Sequence, residues 1–224
     1  MGGTLADGGL DKKTFMARVV DYLSGLGFSV DRRAYRRALD SAMRELHKLR
    51  ASGREPSFER FYSLVLSGLG IEPTGELLAE LKRLYFECFS SEPLPGIRQV
   101  LEELSGRYVL AVISNAISPW PRLFLEREGL LCYFRAVVIS GEVGWRKPHK
   151  RIFEIALDRL GLEAGQVVHV GDSPVDDVAG AKGAGMRAIL LLRPGYEAGP
   201  WDVEPDAVIH SLSELSVVLE DLDP

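Results

Sequence analysis

Three carboxylates follow a short apolar stretch in the second half of the chain. Residues 167–170 have the composition of a buried strand, Gly171 ends it, and Asp172, Asp176 and Asp177 come directly after. In an open α/β sheet, the carboxyl end of a strand faces the ligand crevice. Grouped carboxylates suit a hard cation such as Mg²⁺, which takes oxygen ligands and keeps several waters. The stretch predicts a metal-dependent enzyme, although a capped helix start would explain the same residues.

A second polar pair, Ser114-Asn115, follows a predicted strand at residues 108–113. A hydroxyl at a strand tip and the adjacent amides can donate hydrogen bonds to a phosphate oxygen. An ordinary turn after a strand has the same sequence, so the pair alone does not distinguish the two.

A third feature is Lys147, which precedes Pro148 and a helix predicted to begin near His149. Pro148 suits the first turn of that helix and restricts the backbone before it. Lys147 would then project from a rigid corner, where its ammonium can neutralise phosphate or carboxylate charge. A lone solvated lysine is the alternative.

Hydrophobic periodicity supplies the elements that position these residues, and it divides the chain near Pro93 and Pro95. Before this point the pattern is helical, with Asp31, Ser57 and Thr74 as predicted N-caps. After it, strands alternate with helices, which predicts a parallel, doubly wound α/β sheet. The predicted helices are 14–26, 31–49, 58–69, 76–89, 97–104, 121–128, 150–160, 178–184 and 212–219, and the predicted strands are 108–113, 136–139, 167–170, 188–192 and 207–209.

Composition limits the class of protein. The 224 residues are 46% hydrophobic and 26% charged, as in ordinary globular proteins, and the net charge of -5 argues against nucleic-acid binding. No apolar run approaches the ~20 residues of a membrane span. The two cysteines, Cys88 and Cys132, are interpreted as reduced core residues, which favours a cytoplasmic location. We expect a small-molecule substrate, no nucleic-acid or membrane partner, and a monomer or homodimer.

The order and spacing of the three motifs resemble the haloacid dehalogenase superfamily. That family's second motif is a strand ending in Ser or Thr, matched by Ser114. Its third is a Lys before Pro and a helix, matched by Lys147, which lies 33 residues after Ser114 and 25 before Asp172. Its fourth is Gly-Asp with a further Asp four or five residues on, matched by Asp172 with Asp176 or Asp177.

This resemblance covers residues 95–215 and implies the fold. It implies a Rossmann-like α/β core formed by residues 1–10 and 93–224. The four predicted helices of residues 11–92 fit the helical cap that one branch of the family inserts between its first and second motifs.

The family's first motif is where this sequence departs from the pattern. The motif is a strand ending in Asp-x-Asp-Gly-Thr-Leu, and here Gly3, Thr4 and Leu5 align with its last three residues. Gly2 therefore takes the place of the second Asp, the general acid and base. The first Asp, the nucleophile, would lie one residue before Met1.

Two interpretations follow: the natural chain extends upstream with a strand ending in Asp, or the nucleophile has been lost. A central strand makes ladder hydrogen bonds on both sides, each worth roughly 1 kcal/mol net. It also buries several apolar side chains at roughly 1.5–3 kcal/mol each. Because that sum rivals a domain's stability of roughly 5–15 kcal/mol, we expect the upstream strand.

The resemblance also implies the roles of the site residues. The upstream Asp would attack phosphorus and form an aspartyl-phosphate, with Mg²⁺ between this Asp, Asp172 and a phosphate oxygen. The remaining implied roles are phosphate binding by Ser114 and Asn115, charge stabilisation by Lys147, and orientation of metal-bound water or of Lys147 by Asp177 or, as second choice, Asp176. His169 is interpreted as a packed core residue.

Three functions remain open. The first is a Mg²⁺-dependent phosphatase acting on a small phosphorylated metabolite. The second is a 2-haloacid dehalogenase, which needs neither the metal nor the general acid that Gly2 replaces. The third is a catalytically inactive binding protein that keeps the fold.

Overall fold

The computed structural model describes residues 1–193, 195, 199 and 201–222. The chain forms two compact units, one made of residues 8–91 and the other of residues 1–7 together with those from Glu92 onward. The chain passes between the units within β1 (Ala6–Leu10) and β2 (Phe89–Pro93), and these two strands pair with each other. Neither strand was predicted, because both are rich in glycine, serine and acidic residues.

The unit of residues 8–91 is helical. Its helices are α1 (Lys12–Gly25), α2 (Arg32–Ala51), α3 (Phe58–Gly68) and α4 (Gly75–Glu87). The predicted N-caps are confirmed, since the side chains of Asp31, Ser57 and Thr74 accept hydrogen bonds from the backbone amides three residues on. Aromatic rings fill the centre of this unit: Phe15 meets Tyr62 edge-on, with ring centroids 5.8 Å apart.

The other unit alternates strands with helices. Its strands are β3 (Leu110–Ser114), β4 (Phe134–Ile139), β5 (Val168–Gly171), β6 (Arg187–Leu191) and β7 (Ala207–Ile209). Its helices are α5 (Ile97–Ser105), α6 (Trp120–Arg127), α7 (Ser140–Val143), α8 (Lys150–Leu160), α9 (Gly180–Gly183) and α10 (Leu215–Leu222). The strands pair in parallel, as the sequence predicts.

The parallel strands form two groups. β3 pairs with β4, and β5, β6 and β7 pair in that order; no ladder joins β3 to β5 among the described residues. A core of buried side chains from α8, α9 and the facing strands packs against these groups, including Ile152, Phe153 and Ala181. Since β3 and β5 both end at the polar motifs of the sequence, their carboxyl ends define the candidate site.

Three local predictions differ from the structure. The strand predicted from residue 108 begins at Leu110, because Tyr108 donates its amide to the Leu104 carbonyl and prolongs the end of α5. The helix predicted at 178–184 is preceded by a π-helical segment, Pro174–Ala179, which carries Asp177. Pro148 is not in the first turn of α8, because His149 is the N-cap; the Lys147–Pro148 peptide bond is cis.

No helix among the described residues is long and apolar enough to cross a membrane.

Candidate active site

Four segments of the α/β unit meet at the carboxyl ends of β3 and β5. They are the turn at residues 1–5, the end of β3, the loop before α8, and the π-helical segment after β5. Lys147 on the loop reaches both sides: its Nζ donates to the Ile113 carbonyl at 3.3 Å and to Asp177 Oδ1 at 2.5 Å. The lysine therefore connects the two strand groups.

Asp177 is the most heavily bonded carboxylate of the site. Besides Lys147, its Oδ1 contacts His169 Nε2 at 2.8 Å, and its Oδ2 accepts the Ser173 amide at 3.1 Å. The side chain is 6% exposed. Such packing requires Gly171, because a Cβ there would lie 2.1 Å from Asp177 Cγ. The buried Asp177 carboxylate therefore fixes the position of the Lys147 ammonium.

The pKa values of this cluster follow from burial and hydrogen bonding. Burial alone would raise the pKa of Asp177, but the hydrogen bond from His169 and the charge of Lys147 hold it well below its usual value. Burial lowers the pKa of His169, and the charge of Lys147 lowers it further, although Asp177 acts in the opposite direction. At neutral pH the cluster thus contains an ionised Asp177 carboxylate hydrogen-bonded to a neutral His169 imidazole.

Asn115 braces the loop that carries Lys147. Its Oδ1 accepts the Lys147 amide at 2.8 Å, and its Nδ2 donates to the Lys147 carbonyl and to Asp176 Oδ2, both at 3.1 Å. These contacts use both the acceptor and the donor group of the side-chain amide, so the side chain of Asn115 braces the loop, and the phosphate contact expected of Asn115 stays a prediction. Ser114, next to it, is buried at the tip of β3.

Asp172 faces the turn at the start of the chain. Thr4 Oγ1 donates to its Oδ1 at 2.9 Å. Gly3, with φ +78°, passes so close that a Cβ would lie 2.2 Å from Asp172 Oδ2. The turn is tied together by the Met1 carbonyl, which accepts the amides of Thr4, Leu5 and Ala6 at 2.8–3.2 Å.

The carboxylates of this site fit Mg²⁺ only as part of a ligand set. No group of three His, Cys, Asp or Glu residues is arranged to hold a metal within the described part of the chain. Asp177 is committed to Lys147 and His169, and Asp176 lies 3.7 Å from Arg146. Mg²⁺ is nevertheless often bound through one or two carboxylates, waters and a substrate phosphate. Asp172 fits that pattern as a single ligand from this chain.

The structure brings Asn115, Lys147, Asp176 and Asp177 into one hydrogen-bonded network, and it joins Asp172 to Thr4 instead. Sequence reasoning missed His169, which was interpreted only as a packed residue. It does pack edge-on against Phe153, with ring centroids 5.3 Å apart, but it also bonds to Asp177. The available signal was an imidazole on a buried strand, because a buried polar group needs a partner.

Ser140 was also missed. It directly follows β4, as the first residue of α7, and is fully buried. Its Oγ accepts the Ala116 amide at 2.9 Å and donates to the Ala116 carbonyl at 3.2 Å. It thereby fixes the loop after Ser114.

Comparisons with known proteins identify the family of the chain. The sequence model of the haloacid dehalogenase-like hydrolases matches residues 1–185. The chain is 40% identical to the glyceraldehyde 3-phosphate phosphatase of Methanothermobacter thermautotrophicus over 57% of this chain and 58% of that protein. It is 35% identical to the phosphoserine phosphatase of Thermus thermophilus, over 71% and 64%. The chain thus spans less than two thirds of the length of these curated relatives.

Among solved structures, the 2-haloacid dehalogenase of Pseudomonas syringae pv. Tomato superposes with a TM-score of 0.71 at 29% identity, covering 97% of this chain and 96% of that one. This solved structure is named a dehalogenase, whereas the two curated relatives are named phosphatases.

Proposed function

Because the chain belongs to the haloacid dehalogenase-like hydrolases, we propose that it is a Mg²⁺-dependent phosphatase of small phosphorylated metabolites. Its nucleophile would be an aspartate just upstream of Met1. The observation that carries the proposal is the buried Lys147–Asp177 pair at the strand ends, which fixes an ammonium next to the turn that holds Asp172. A site that pairs a fixed cation with a carboxylate suits an anionic nucleophile and an anionic substrate.

One N–H donor of the Lys147 ammonium remains for this chemistry. Among the described residues its Nζ has two acceptors, Asp177 and the Ile113 carbonyl, whereas an ammonium carries three N–H donors. The third can meet the nucleophilic carboxylate or a phosphate oxygen. The Ser114 hydroxyl and the amides after it would hold the remaining phosphate oxygens.

Asp172 would hold Mg²⁺ together with the upstream aspartate. Bound there, the cation would offset the repulsion between the carboxylate and the phosphate. The aspartate oxygen would form a bond to phosphorus while the ester P–O bond breaks, and the departing oxygen would take its proton from water, because Gly2 supplies no acid. Water would then hydrolyse the aspartyl-phosphate, releasing phosphate and restoring the carboxylate.

The test compares the chain from Met1 with a chain extended upstream by a strand ending in Asp. The substrate is para-nitrophenyl phosphate, with Mg²⁺ or with a chelator. We expect hydrolysis only by the extended chain and only with Mg²⁺, and none when the added Asp is replaced by Asn. A folded extended chain that binds Mg²⁺ but hydrolyses no member of a panel of phosphate monoesters would overturn the proposal.

A 2-haloacid dehalogenase is the second candidate, favoured by the full-length structural similarity to the Pseudomonas syringae enzyme and by Gly2. A halide leaves without protonation, so this reaction does not need the acid that Gly2 replaces. Halide release from 2-chloropropionate that persists in the chelator, without phosphate release, would support this candidate over the phosphatase.

A further inference from the structure

A cavity of about 280 Å³ lies at the carboxyl ends of β5 and β6. Residues 172–174, which follow β5, line one part of it, and Leu190 and Leu192 line another. Arg193 and Trp201 complete the described lining. This cavity, called the β6 pocket below, therefore brings Asp172, the residue proposed to hold Mg²⁺, together with one guanidinium and several apolar side chains.

The pairing of β5 with β6 explains where the β6 pocket lies. The two strands are parallel, and Gly171 is the register partner of Leu190, so both strands end at the same edge of the sheet. The amide of Leu192 donates to the Ile209 carbonyl at 2.8 Å, which keeps the chain extended one residue beyond β6. Leu190 and Leu192 therefore share a face, because side chains alternate along an extended chain. Ligands of open α/β sheets bind at this carboxyl edge.

The size and lining of the β6 pocket suit the body of one small molecule. Pro174, Leu190, Leu192 and Trp201 are its apolar residues. Ligand sites typically combine such an apolar wall with a few charged or polar groups, in volumes of about 300–1,000 Å³. The β6 pocket lies at the lower end of that range, which fits a single ring. The indole of Trp201 favours an aromatic ring as its neighbour.

Arg193 gives the pocket a cation in a geometry that recognises carboxylates. Its Nη1 and Nη2 donate to Asp7 Oδ1 and Oδ2, both at 2.6 Å, which is the bidentate arrangement of an Arg–carboxylate pair. Of the two residues, only Arg193 is among the described residues that line the pocket. The guanidinium thus already holds a carboxylate in the way that it would hold one from a ligand.

The Arg193–Asp7 ion pair can be exchanged at small cost. The two side chains are 32% and 51% exposed, respectively. Ion pairs with this exposure contribute little to stability, because water and salt screen the charges. A ligand carboxylate that enters the pocket can therefore replace the carboxylate of Asp7, and burial of the ligand's apolar body adds to its binding.

The two charged residues of the pocket give such a ligand one orientation. Asp172 repels a free carboxylate, whereas with Mg²⁺ bound it favours a phosphate group. Arg193 attracts an anion and disfavours an amine. A molecule with a phosphate group and a carboxylate at opposite ends of a ring therefore has its phosphate near Asp172 and its carboxylate near Arg193.

We propose that the β6 pocket is the subsite for the leaving group of the substrate, and that it selects phosphate monoesters whose apolar body ends in a carboxylate bound by Arg193. For the phosphate end, this inference rests on the proposed phosphatase function. The carboxylate end rests on the pocket and Arg193 alone, so the two ends can be tested separately.

The first experiment uses two probes without phosphate, phenylacetate and its neutral counterpart phenylacetamide, with the chain from Met1. Two-dimensional NMR follows the side-chain N–H signals of Arg193 and Trp201 during each titration. Phenylacetate is expected to shift both signals and to bind at least about tenfold more tightly than phenylacetamide, because charge-assisted hydrogen bonds are the stronger ones. Equal affinity for the two probes, or no shift with either, would overturn the proposal.

Three variants separate recognition from folding. Arg193→Leu should remove the preference for phenylacetate, whereas Arg135→Leu, at an exposed position of β4, should keep it. Asp7→Asn should tighten phenylacetate binding about two- to fivefold, because it removes the competing carboxylate. Since loss of structure cannot tighten binding, this variant decides the matter even if Arg193→Leu does not fold. An unchanged preference in folded Arg193→Leu, or no tightening in folded Asp7→Asn, would overturn the proposal.

The second experiment measures kcat/KM of the extended chain with Mg²⁺ for 4-(carboxymethyl)phenyl phosphate and 4-(carbamoylmethyl)phenyl phosphate. We expect at least about a tenfold preference for the carboxylate ester, which Arg193→Leu removes. Equal hydrolysis of the two esters would overturn the subsite and leave the phosphatase proposal standing. Binding of phenylacetate at Arg193 without hydrolysis of any phosphate monoester would contradict the phosphatase proposal and leave the carboxylate site standing.

Discussion

Lys147 and Asp177 form a buried ion pair, with Nζ 2.5 Å from Oδ1 and each side chain at most 7% exposed. Lys147 comes from the loop before α8 and Asp177 from the π-helical segment after β5, so the pair joins two segments 30 residues apart in the chain. Removing one partner of an ion pair buried to this degree strongly lowers the free energy of unfolding, because the other charge stays buried without a counter-charge.

Asp177→Asn is therefore expected to lower the free energy of unfolding by roughly 3–5 kcal/mol, the range typical of a broken buried pair. Asp176→Asn is the matched control: it lies in the same segment, and its side chain is 33% exposed. We expect it to cost less than about 1 kcal/mol. Urea denaturation of both variants measures the difference, and equal costs would contradict the role assigned to Asp177.

Stability should fall on acidification from pH 7 because of His169. Its pKa in the folded chain is below the usual 6.5, so the unfolded chain binds the proton first as pH decreases. The loss begins near pH 6.5 and can reach about 1.4 kcal/mol per pH unit until the folded pKa is reached. Thermal midpoints between pH 7.5 and 5 measure it. His169→Gln should reduce the change of the thermal midpoint with pH, whereas His210→Gln, at an exposed position, should not. An equal pH dependence in the two variants would refute the prediction.

Gly2→Asp should raise the phosphatase rate of the extended chain by roughly 10²–10⁴-fold, because a carboxyl group there could protonate the leaving alcohol. The position has room, since a Cβ at Gly2 meets nothing within 4 Å. Gly2→Asn controls for size. The readout is kcat for an alkyl phosphate, and an equal increase with Asn would exclude acid catalysis as the cause.

Gly3→Ala should weaken Mg²⁺ binding at least about tenfold, since displaced supporting groups around a metal typically cost 10–100-fold in affinity. The added Cβ would lie 2.2 Å from Asp172 Oδ2, and the positive φ disfavours alanine. Gly9→Ala is the control, because a Cβ there meets nothing within 4 Å. Calorimetric titration with Mg²⁺ compares them; unchanged affinity in Gly3→Ala would contradict the assigned contact.

The helices and their caps were predictable because their signals are local. Asp31, Ser57 and Thr74 each precede an amphipathic run, and the structure shows each one capping its helix. The fold class followed from alternating periodicity and is confirmed by the parallel strand pairs and by the family match.

The contacts of the site were less predictable because they are non-local. His169 stands in an apolar stretch, and only the π-helical turn that follows brings Asp177 back to it. The pairing of β1 with β2 joins two segments that are far apart in the chain and contain few strand-forming residues. The separation of β3 from β5 likewise depends on strand order, which periodicity does not encode.

We propose Asp172 as this chain's carboxylate ligand for Mg²⁺ in a phosphatase site. Calorimetric titration of Mg²⁺ into the extended chain and its Asp172→Ala variant tests this most directly. We expect the variant to bind Mg²⁺ more than about 100-fold more weakly, since loss of a ligand should weaken binding more than loss of a supporting group does. Unchanged Mg²⁺ affinity in a folded Asp172→Ala variant would contradict it.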